Sequence, residues 1–65
     1  MNIQLNGKPR STLATTLAQL LAEAGFGSAT VATAVNGAFV PLALRTRQDL
    51  KDGDQIEVLA PMQGG

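Results

Sequence analysis

The chain has 65 residues, and its five basic residues balance five acidic ones, so the formal net charge is zero. A chain of this length is expected to form one domain with a small core, and its balanced charge gives no electrostatic footprint for nucleic acid or an anionic membrane. It has no cysteine and no histidine, which excludes disulfides, thiolate metal sites and a thiol nucleophile, and removes the commonest general base.

The first predicted element is a β-hairpin. Ile3 and Leu5 alternate with polar residues, which is the period of a half-buried strand. The pair Asn6-Gly7 follows and is a strong hairpin signal, because a type I′ turn needs positive φ at both central residues. The returning strand is predicted over residues 8–13. Pro9 lies in it and has no N–H to donate, so this strand should form a sheet edge.

The next predicted element is an amphipathic helix. One apolar stripe has the spacing i, i+3, i+4 and i+7, and it comprises Leu17, Leu20, Leu21 and Ala24. Thr16 is the expected N-cap, and Gln19 three residues later completes a capping-box pattern. Gly25 fits the left-handed position that commonly ends a helix.

A second hairpin follows the helix. Residues 31–35 favour a strand, and a second turn pair, Asn36-Gly37, comes directly after them. Residues 38–40 form the returning arm, which Pro41 closes. Because proline again marks one arm of the hairpin, this arm should also lie at a sheet edge.

The last third of the chain predicts a connector and a final strand. Residues 42–50 fit either a short helical turn or an irregular crossover. We expect Arg45 and Arg47 in this segment to lie on the solvated surface; the alternative is that they pair with acidic groups on a partner. Asp52-Gly53 marks a turn. Residues 55–59 alternate in character and contain no proline, so this strand can be central in a sheet.

The order hairpin, helix, hairpin, connector and strand predicts a two-layer α+β domain. Because proline marks an edge in each hairpin, the final strand fits best between the two hairpins. This arrangement is the β-grasp, or ubiquitin-like, fold: a mixed five-stranded sheet with one main helix packed on one face. We expect residues 1–65 to form a single such domain, with a flexible tail over residues 60–65.

The diglycine Gly64-Gly65 is the main functional candidate. Glycine has no Cβ, so such a tail can thread a narrow slot and bring a carboxylate close to a nucleotide or another backbone; the alternative is a frayed terminus. Leu59 should point away from the helix-covered face, and Met62 lies just before the diglycine. Exposed apolar groups beside a tail suggest a docking patch. Phe39 could join this patch, but the sequence leaves open which face of the sheet Phe39 occupies. Alternatively, Phe39 and Leu59 are ordinary half-buried residues.

Other classes of site have weaker support. The acidic residues could form a metal or acid–base set, which would comprise Glu23, Asp49, Asp52, Asp54 and Glu57. We expect no metal site, because Asp52 and Asp54 flank a turn glycine, where aspartate is favoured for local hydrogen bonds. No apolar stretch approaches the roughly 18 residues of a membrane span, and the opening residues do not fit a signal peptide. We therefore expect a cytoplasmic protein.

Five segments, in this order and at this chain length, form a specific combination: IQLNG at 3–7, TLAQLL at 16–21, AVNGAFVP at 34–41, LKDGDQIEV at 50–58 and Gly64-Gly65. With them the chain resembles the ThiS family, the sulfur carriers of thiamin thiazole biosynthesis. MoaD, the molybdopterin sulfur carrier, is similar in fold and tail but usually longer, and it is the near alternative. Family tails often carry small or β-branched residues before the glycines, whereas this chain has APMQ at 60–63.

The resemblance implies a protein cosubstrate with no catalytic residue and no bound cofactor. An E1-like adenylating enzyme (ThiF-type) uses Mg-ATP to adenylate the carboxylate of Gly65, while Gln63 and Gly64 thread the partner's active site. A persulfide sulfur from a cysteine desulfurase displaces AMP and leaves a thiocarboxylate. Thiazole synthase (ThiG-type) then takes the sulfur. Two other classes stay open: a ubiquitin-like modifier conjugated to lysine, and a non-covalent β-grasp binding module in which the tail is incidental.

Overall fold

A computed structural model describes residues 1–27 and 29–60 of the chain. Its elements, in chain order, are β1 (Asn2–Leu5), β2 (Lys8–Ser11), α1 (Leu17–Glu23), β3 (Ala32–Val35), β4 (Ala38–Val40), a 3₁₀ helix (Leu42–Arg47) and β5 (Gln55–Leu59). The strands form one sheet in the order β2-β1-β5-β3-β4. Strands β1 and β5 run parallel, and the other neighbours run antiparallel. The predicted mixed five-stranded sheet with β5 at its centre is confirmed.

Both predicted hairpin turns are present with the expected backbone. Asn6 and Asn36 have φ values of 52° and 51°, and the glycine after each also has positive φ, as a type I′ turn requires. The proline-containing strand β2 and the proline-closed strand β4 are the two sheet edges, as predicted. This placement leaves the missing N–H of Pro9 outside the central hydrogen-bond ladders.

The returning strand β2 is shorter than predicted. It ends at Ser11, and the predicted extension to residue 13 is wrong. Thr12 still exchanges backbone hydrogen bonds with Met1: its amide donates to the Met1 carbonyl and its carbonyl accepts from the Met1 amine, both at 2.9 Å. The Oγ1 of Thr12 accepts a hydrogen bond from the amide of Ala14 at 2.9 Å, and this local turn leads the chain away from the sheet toward α1. Leu13 is left 95% exposed.

The helix begins and ends as the sequence indicates. Thr16 is the N-cap, and its Oγ1 accepts from the amide of Gln19 at 3.3 Å. The side chain of Gln19 differs from a standard capping box, because its Oε1 accepts from the amide and hydroxyl of Thr15 rather than from the N-cap residue. Gly25 follows the helix with φ of 92°, the left-handed conformation that glycine adopts without strain.

The core lies between the sheet and the layer formed by α1 and the segments around it. Leu17 and Leu20 of α1 are fully buried, so the predicted apolar stripe packs on the sheet. The buried apolar residues are Ile3, Ala14, Leu17, Leu20, Leu21, Val35, Val40, Leu50, Ile56 and Val58. No helix within residues 1–27 and 29–60 is long and apolar enough to cross a bilayer.

Arg45 is the clearest departure from the sequence-based expectation. Residues 42–47 form a 3₁₀ helix, which decides between the two alternatives for this connector, and Arg47 is exposed as expected. Arg45, however, is only 8% exposed, so the prediction of a solvated side chain is wrong. Its Nε donates to Thr33 Oγ1 at 3.0 Å, and its Nη2 donates to the carbonyl of Val31. The connector thereby places this guanidinium under the start of β3.

Candidate docking face and tail base

The side chains of the two turn asparagines hold the central strand β5 near both of its ends. Asn6 Oδ1 accepts from the amide of Val58 at 2.8 Å, and Asn6 Nδ2 donates to the carbonyl of the same residue at 3.2 Å. Asn36 Oδ1 accepts from the amide of Gln55 at 2.9 Å, and Asn36 Nδ2 donates to Asp54 Oδ1 at 2.9 Å. The Asn6 bonds extend the pairing between β1 and β5 beyond the end of β1. They fix the part of β5 that leads into the tail.

The sheet has one face toward the core and one face that α1 does not cover. Ile3, Thr33, Ile56 and Val58 are buried on the inner side, so the alternate strand residues point outward. We call these alternate residues the outer face: Asn2, Gln4, Pro9, Ser11, Ala32, Ala34, Phe39, Gln55, Glu57 and Leu59. This assignment confirms that Leu59 points away from the helix-covered side, and it settles the facing of Phe39, which the sequence left open.

The outer face carries an exposed apolar patch. Phe39 is 70% exposed and Leu59 is 63% exposed, so the alternative that they are half-buried is wrong. Ala34 lies opposite Phe39 in the β3–β4 pairing, and Ala32 lies opposite Leu59 in the β3–β5 pairing. These four residues form the apolar patch. Exposed apolar groups of this kind mark interaction surfaces when they are contiguous.

Two open grooves meet at Leu59. One has a volume of about 430 Å³ and runs over the outer face between β1 and β5, where Gln4, Asn6 and Glu57 line it together with Leu59. The other has a volume of about 320 Å³ and lies beside Ala60 and the start of β3. Leu59 therefore separates the polar part of the outer face from the base of the tail.

The tail residues of the predicted site lie outside the described residues. They are Met62, Gln63, Gly64 and Gly65. Of the predicted site residues, the structure describes Phe39 and Leu59 and places both on the outer face. Sequence reasoning missed Asn6, whose side-chain contact with Val58 spans 52 positions. A turn signal alone gives no indication of that contact.

The acidic residues near the Asp52-Gly53 turn have structural partners. Asp54 Oδ2 accepts from the amide of Lys51 at 2.8 Å, which is the local turn bond expected of aspartate. Asp52 Oδ1 accepts from the amide of Asn2 at 2.7 Å and ties this turn to β1. Within residues 1–27 and 29–60 no group of three carboxylates lies close enough to hold a metal ion.

Glu23, at the end of α1, connects the helix to the segment after β2. The hydroxyl of Thr12 donates to Glu23 Oε2 at 2.7 Å, and the guanidinium of Arg10 lies 3.3 Å from Glu23 Oε1. The Thr12 hydrogen bond, with a further contribution from Arg10, lowers the pKa of Glu23 below its usual value. These contacts give Glu23 a role in the fold, away from the outer face.

Comparison with known proteins gives a consistent result. The family model for ThiS matches residues 3–65. The sulfur carrier protein ThiS of Thermus thermophilus is 44% identical over 64 residues, which cover 97% of this chain and 98% of that protein. The crystal structure of the thiamine biosynthesis protein ThiS from Geobacter metallireducens superposes with a TM-score of 0.85 at 30% identity, with both chains fully covered. A solution structure of a thiamine biosynthesis protein from the same organism gives a TM-score of 0.79 at 29% identity, covering all of this chain and 88% of that one.

Proposed function

The chain belongs to the ThiS family, and we propose that this sulfur carrier of thiamin biosynthesis holds its sulfur as a thiocarboxylate on Gly65. The main support is that the family match extends over residues 3–65 and so includes the diglycine. The proposal requires Gly65 to bear the terminal carboxylate, which the intact mass of the purified protein checks directly.

The chemistry fits a protein that supplies only an acyl group. A carboxylate is a poor electrophile, and adenylation by Mg-ATP in the partner's site converts it into an acyl adenylate with AMP as leaving group. The partner supplies the metal ion and fixed donors that stabilise the charged transition state. A persulfide sulfur displaces AMP, and thiol cleavage of the remaining S–S bond leaves the thiocarboxylate. The chain has no cysteine or histidine, so its partners supply the sulfur and the proton transfers.

The outer face and the tail base act together in this proposal. Phe39 and Leu59 dock on an E1-like adenylating enzyme (ThiF-type), and later on thiazole synthase (ThiG-type), with Met62 completing the contact. Gln63 and Gly64 thread the partner's site and deliver Gly65. The support for this arrangement is the exposure of Phe39 and Leu59 on one face and the fixation of β5 by Asn6 directly before the tail. We propose that the carrier acts in the cytoplasm.

The test is an intact-mass spectrum after incubation with the adenylating enzyme, Mg-ATP and a cysteine-desulfurase persulfide source. We expect the mass change of one oxygen replaced by sulfur, located at Gly65 by fragmentation. The matched control lacks only Gly65 and should keep the far-UV circular dichroism of the full chain but remain unmodified. An unmodified full chain in the presence of a demonstrably active enzyme refutes the proposal.

The same samples separate the alternatives. Higher-mass adducts that survive denaturation and thiol indicate a modifier conjugated to lysine. A thiocarboxylate that thiazole synthase cannot use, and that molybdopterin synthase can, indicates a MoaD-like carrier. Full function in a chain without Gly64-Gly65 indicates a non-covalent binding module.

A further inference from the structure

The outer face carries a single ionisable side chain, that of Glu57. The remaining outer-face residues are apolar, amide or hydroxyl residues. Lys8 and Arg10 lie on the opposite side, since β2 pairs them with the inward-facing residues of β1. Arg45 is buried beneath β3. The outer face is therefore locally acidic although the whole chain is neutral.

Glu57 lies at the centre of this face, beside the apolar patch. It occupies the middle of the central strand β5 and lies opposite Ala34, which is also the partner of Phe39. Leu59 follows two residues later on the same face. Glu57 is exposed. Within residues 1–27 and 29–60 there is one ion pair, and it joins Arg10 to Glu23. The carboxylate of Glu57 has no cation partner among the described residues.

A partner that covers Phe39 and Leu59 must also cover this carboxylate. Removing a charge from water is strongly unfavourable unless the charge is paired and hydrogen-bonded. A purely apolar docking surface would leave Glu57 buried and unpaired, and is thereby disfavoured. A surface with a guanidinium or ammonium group at this point gains a charge-assisted hydrogen bond and faster association. A charged group that one partner can pair and another cannot therefore discriminates between the two partners.

We propose that Glu57 is a specificity-determining residue, which selects a partner protein that presents an arginine or lysine framed by apolar side chains. This inference rests on the proposed function, since the partner is taken to be the enzyme that adenylates Gly65. The apolar patch supplies the contact area, and Glu57 decides which apolar surfaces are accepted.

The experiment measures ATP-dependent pyrophosphate release by the adenylating enzyme as a function of carrier concentration. The variants are Glu57→Gln and Glu57→Lys, and the charge-matched controls are Asp49→Asn and Asp49→Lys. Asp49 is an exposed carboxylate beside the start of α1, away from the outer face. We expect KM for the carrier to rise about tenfold in Glu57→Gln and about a hundredfold in Glu57→Lys. The controls should stay within about twofold of wild type, and kcat should be unchanged throughout.

Two further measurements sharpen the result. The KM of wild type should rise with added KCl, and that of Glu57→Gln should depend on salt much less, because screening acts on the charge pair. The variant Glu57→Leu should bind more weakly than wild type. A Glu57→Leu KM below that of wild type, or a Glu57→Lys KM equal to that of Asp49→Lys, overturns the inference. A wild-type chain that is not adenylated at all refutes the proposed function instead, so the two failures are distinguishable.

Discussion

The bond pair between Asn6 and Val58 predicts a specific loss of stability in Asn6→Asp. Aspartate keeps the side-chain shape of asparagine, and like asparagine it tolerates the left-handed φ of 52° at this position. It keeps the Oδ1 acceptor for the amide of Val58 but replaces the Nδ2 donor, 3.2 Å from the Val58 carbonyl, with an anionic oxygen. Only the donor and the charge are therefore altered.

The magnitude follows from the unsatisfied carbonyl. A buried or half-buried acceptor that loses its donor costs about 1–3 kcal/mol, and repulsion between the new oxygen and the Val58 carbonyl acts in the same direction. For a domain of this size, whose total stability is on the order of 3–10 kcal/mol, that is a substantial fraction. The expected decrease in Tm is about 4–8 °C for each kcal/mol lost.

The assay is urea unfolding followed by far-UV circular dichroism, because the chain contains no tryptophan or tyrosine to serve as a fluorescent probe. The matched control is Gln4→Glu, which makes the same amide-to-carboxylate change at an exposed position of β1. We expect this control to stay within about 0.5 kcal/mol of wild type. If Asn6→Asp and Gln4→Glu unfold at the same urea concentration, the Asn6 side chain does not hold the end of β5 in place.

Three further predictions concern the rest of the fold. Arg45→Met should lower the unfolding free energy by about 1–3 kcal/mol, because it leaves the carbonyl of Val31, directly before β3, without its donor. Arg47→Met should be neutral within about 0.5 kcal/mol, and equal urea midpoints for the two variants would contradict this prediction. The Thr12 hydrogen bond lowers the pKa of Glu23, so this carboxylate contributes stability above its unfolded pKa of about 4.3, and the contribution is lost as the pH falls through the folded value. Unfolding measured from about pH 6 to pH 3 should therefore show a shallower loss of stability in Glu23→Gln, and identical slopes would argue against the Thr12 contact. Leu20→Ala, at a fully buried site, should lower the unfolding free energy by about 2–5 kcal/mol in the same denaturation assay, and a loss below about 1 kcal/mol would show that the site is not tightly packed.

Most of the fold could be predicted because its signals are local. The turn pairs Asn6-Gly7 and Asn36-Gly37 fixed both hairpins, since positive φ limits which residues fit a type I′ turn. Thr16 marked the start of the helix because an N-cap hydrogen bond joins residues only three positions apart, and so it can be recognised in the sequence. The prolines then identified the edges, which left the centre of the sheet to the final strand.

The errors came from contacts between residues distant in sequence or from local turns made by side chains. The hydroxyl of Thr12 accepts a hydrogen bond from the amide of Ala14 and turns the chain away from the sheet directly after the Thr12–Met1 pair, and no hydrophobic pattern reveals such a turn. Arg45 was assigned to the surface because charged residues are seldom buried. Its partners, Thr33 on β3 and Val31 directly before β3, lie 12 and 14 positions earlier, and a single sequence does not show that the connector brings them together.

The candidate site was predictable in part. Strand alternation gave the facing of Leu59 correctly, because a central strand has a strict period of two. The absence of a cation beside Glu57 could not be predicted from the sequence, since it depends on which residues of the four other strands share its face of the sheet. The predictions for Met62, Gln63, Gly64 and Gly65 concern residues outside the described part of the chain and remain predictions.

The position of β5 between β1 and β3 also has a consequence for how the protein is made. The ribosome synthesises the chain from its N-terminus, so both hairpins and α1 are made before the strand that joins the hairpins into one sheet. Until residues 55–59 appear, β1 and β3 each present an unpaired edge, which is a hazard for aggregation. Sheet completion and synthesis of the diglycine are thus nearly simultaneous, and a nascent chain truncated before β5 has neither a joined sheet nor the diglycine.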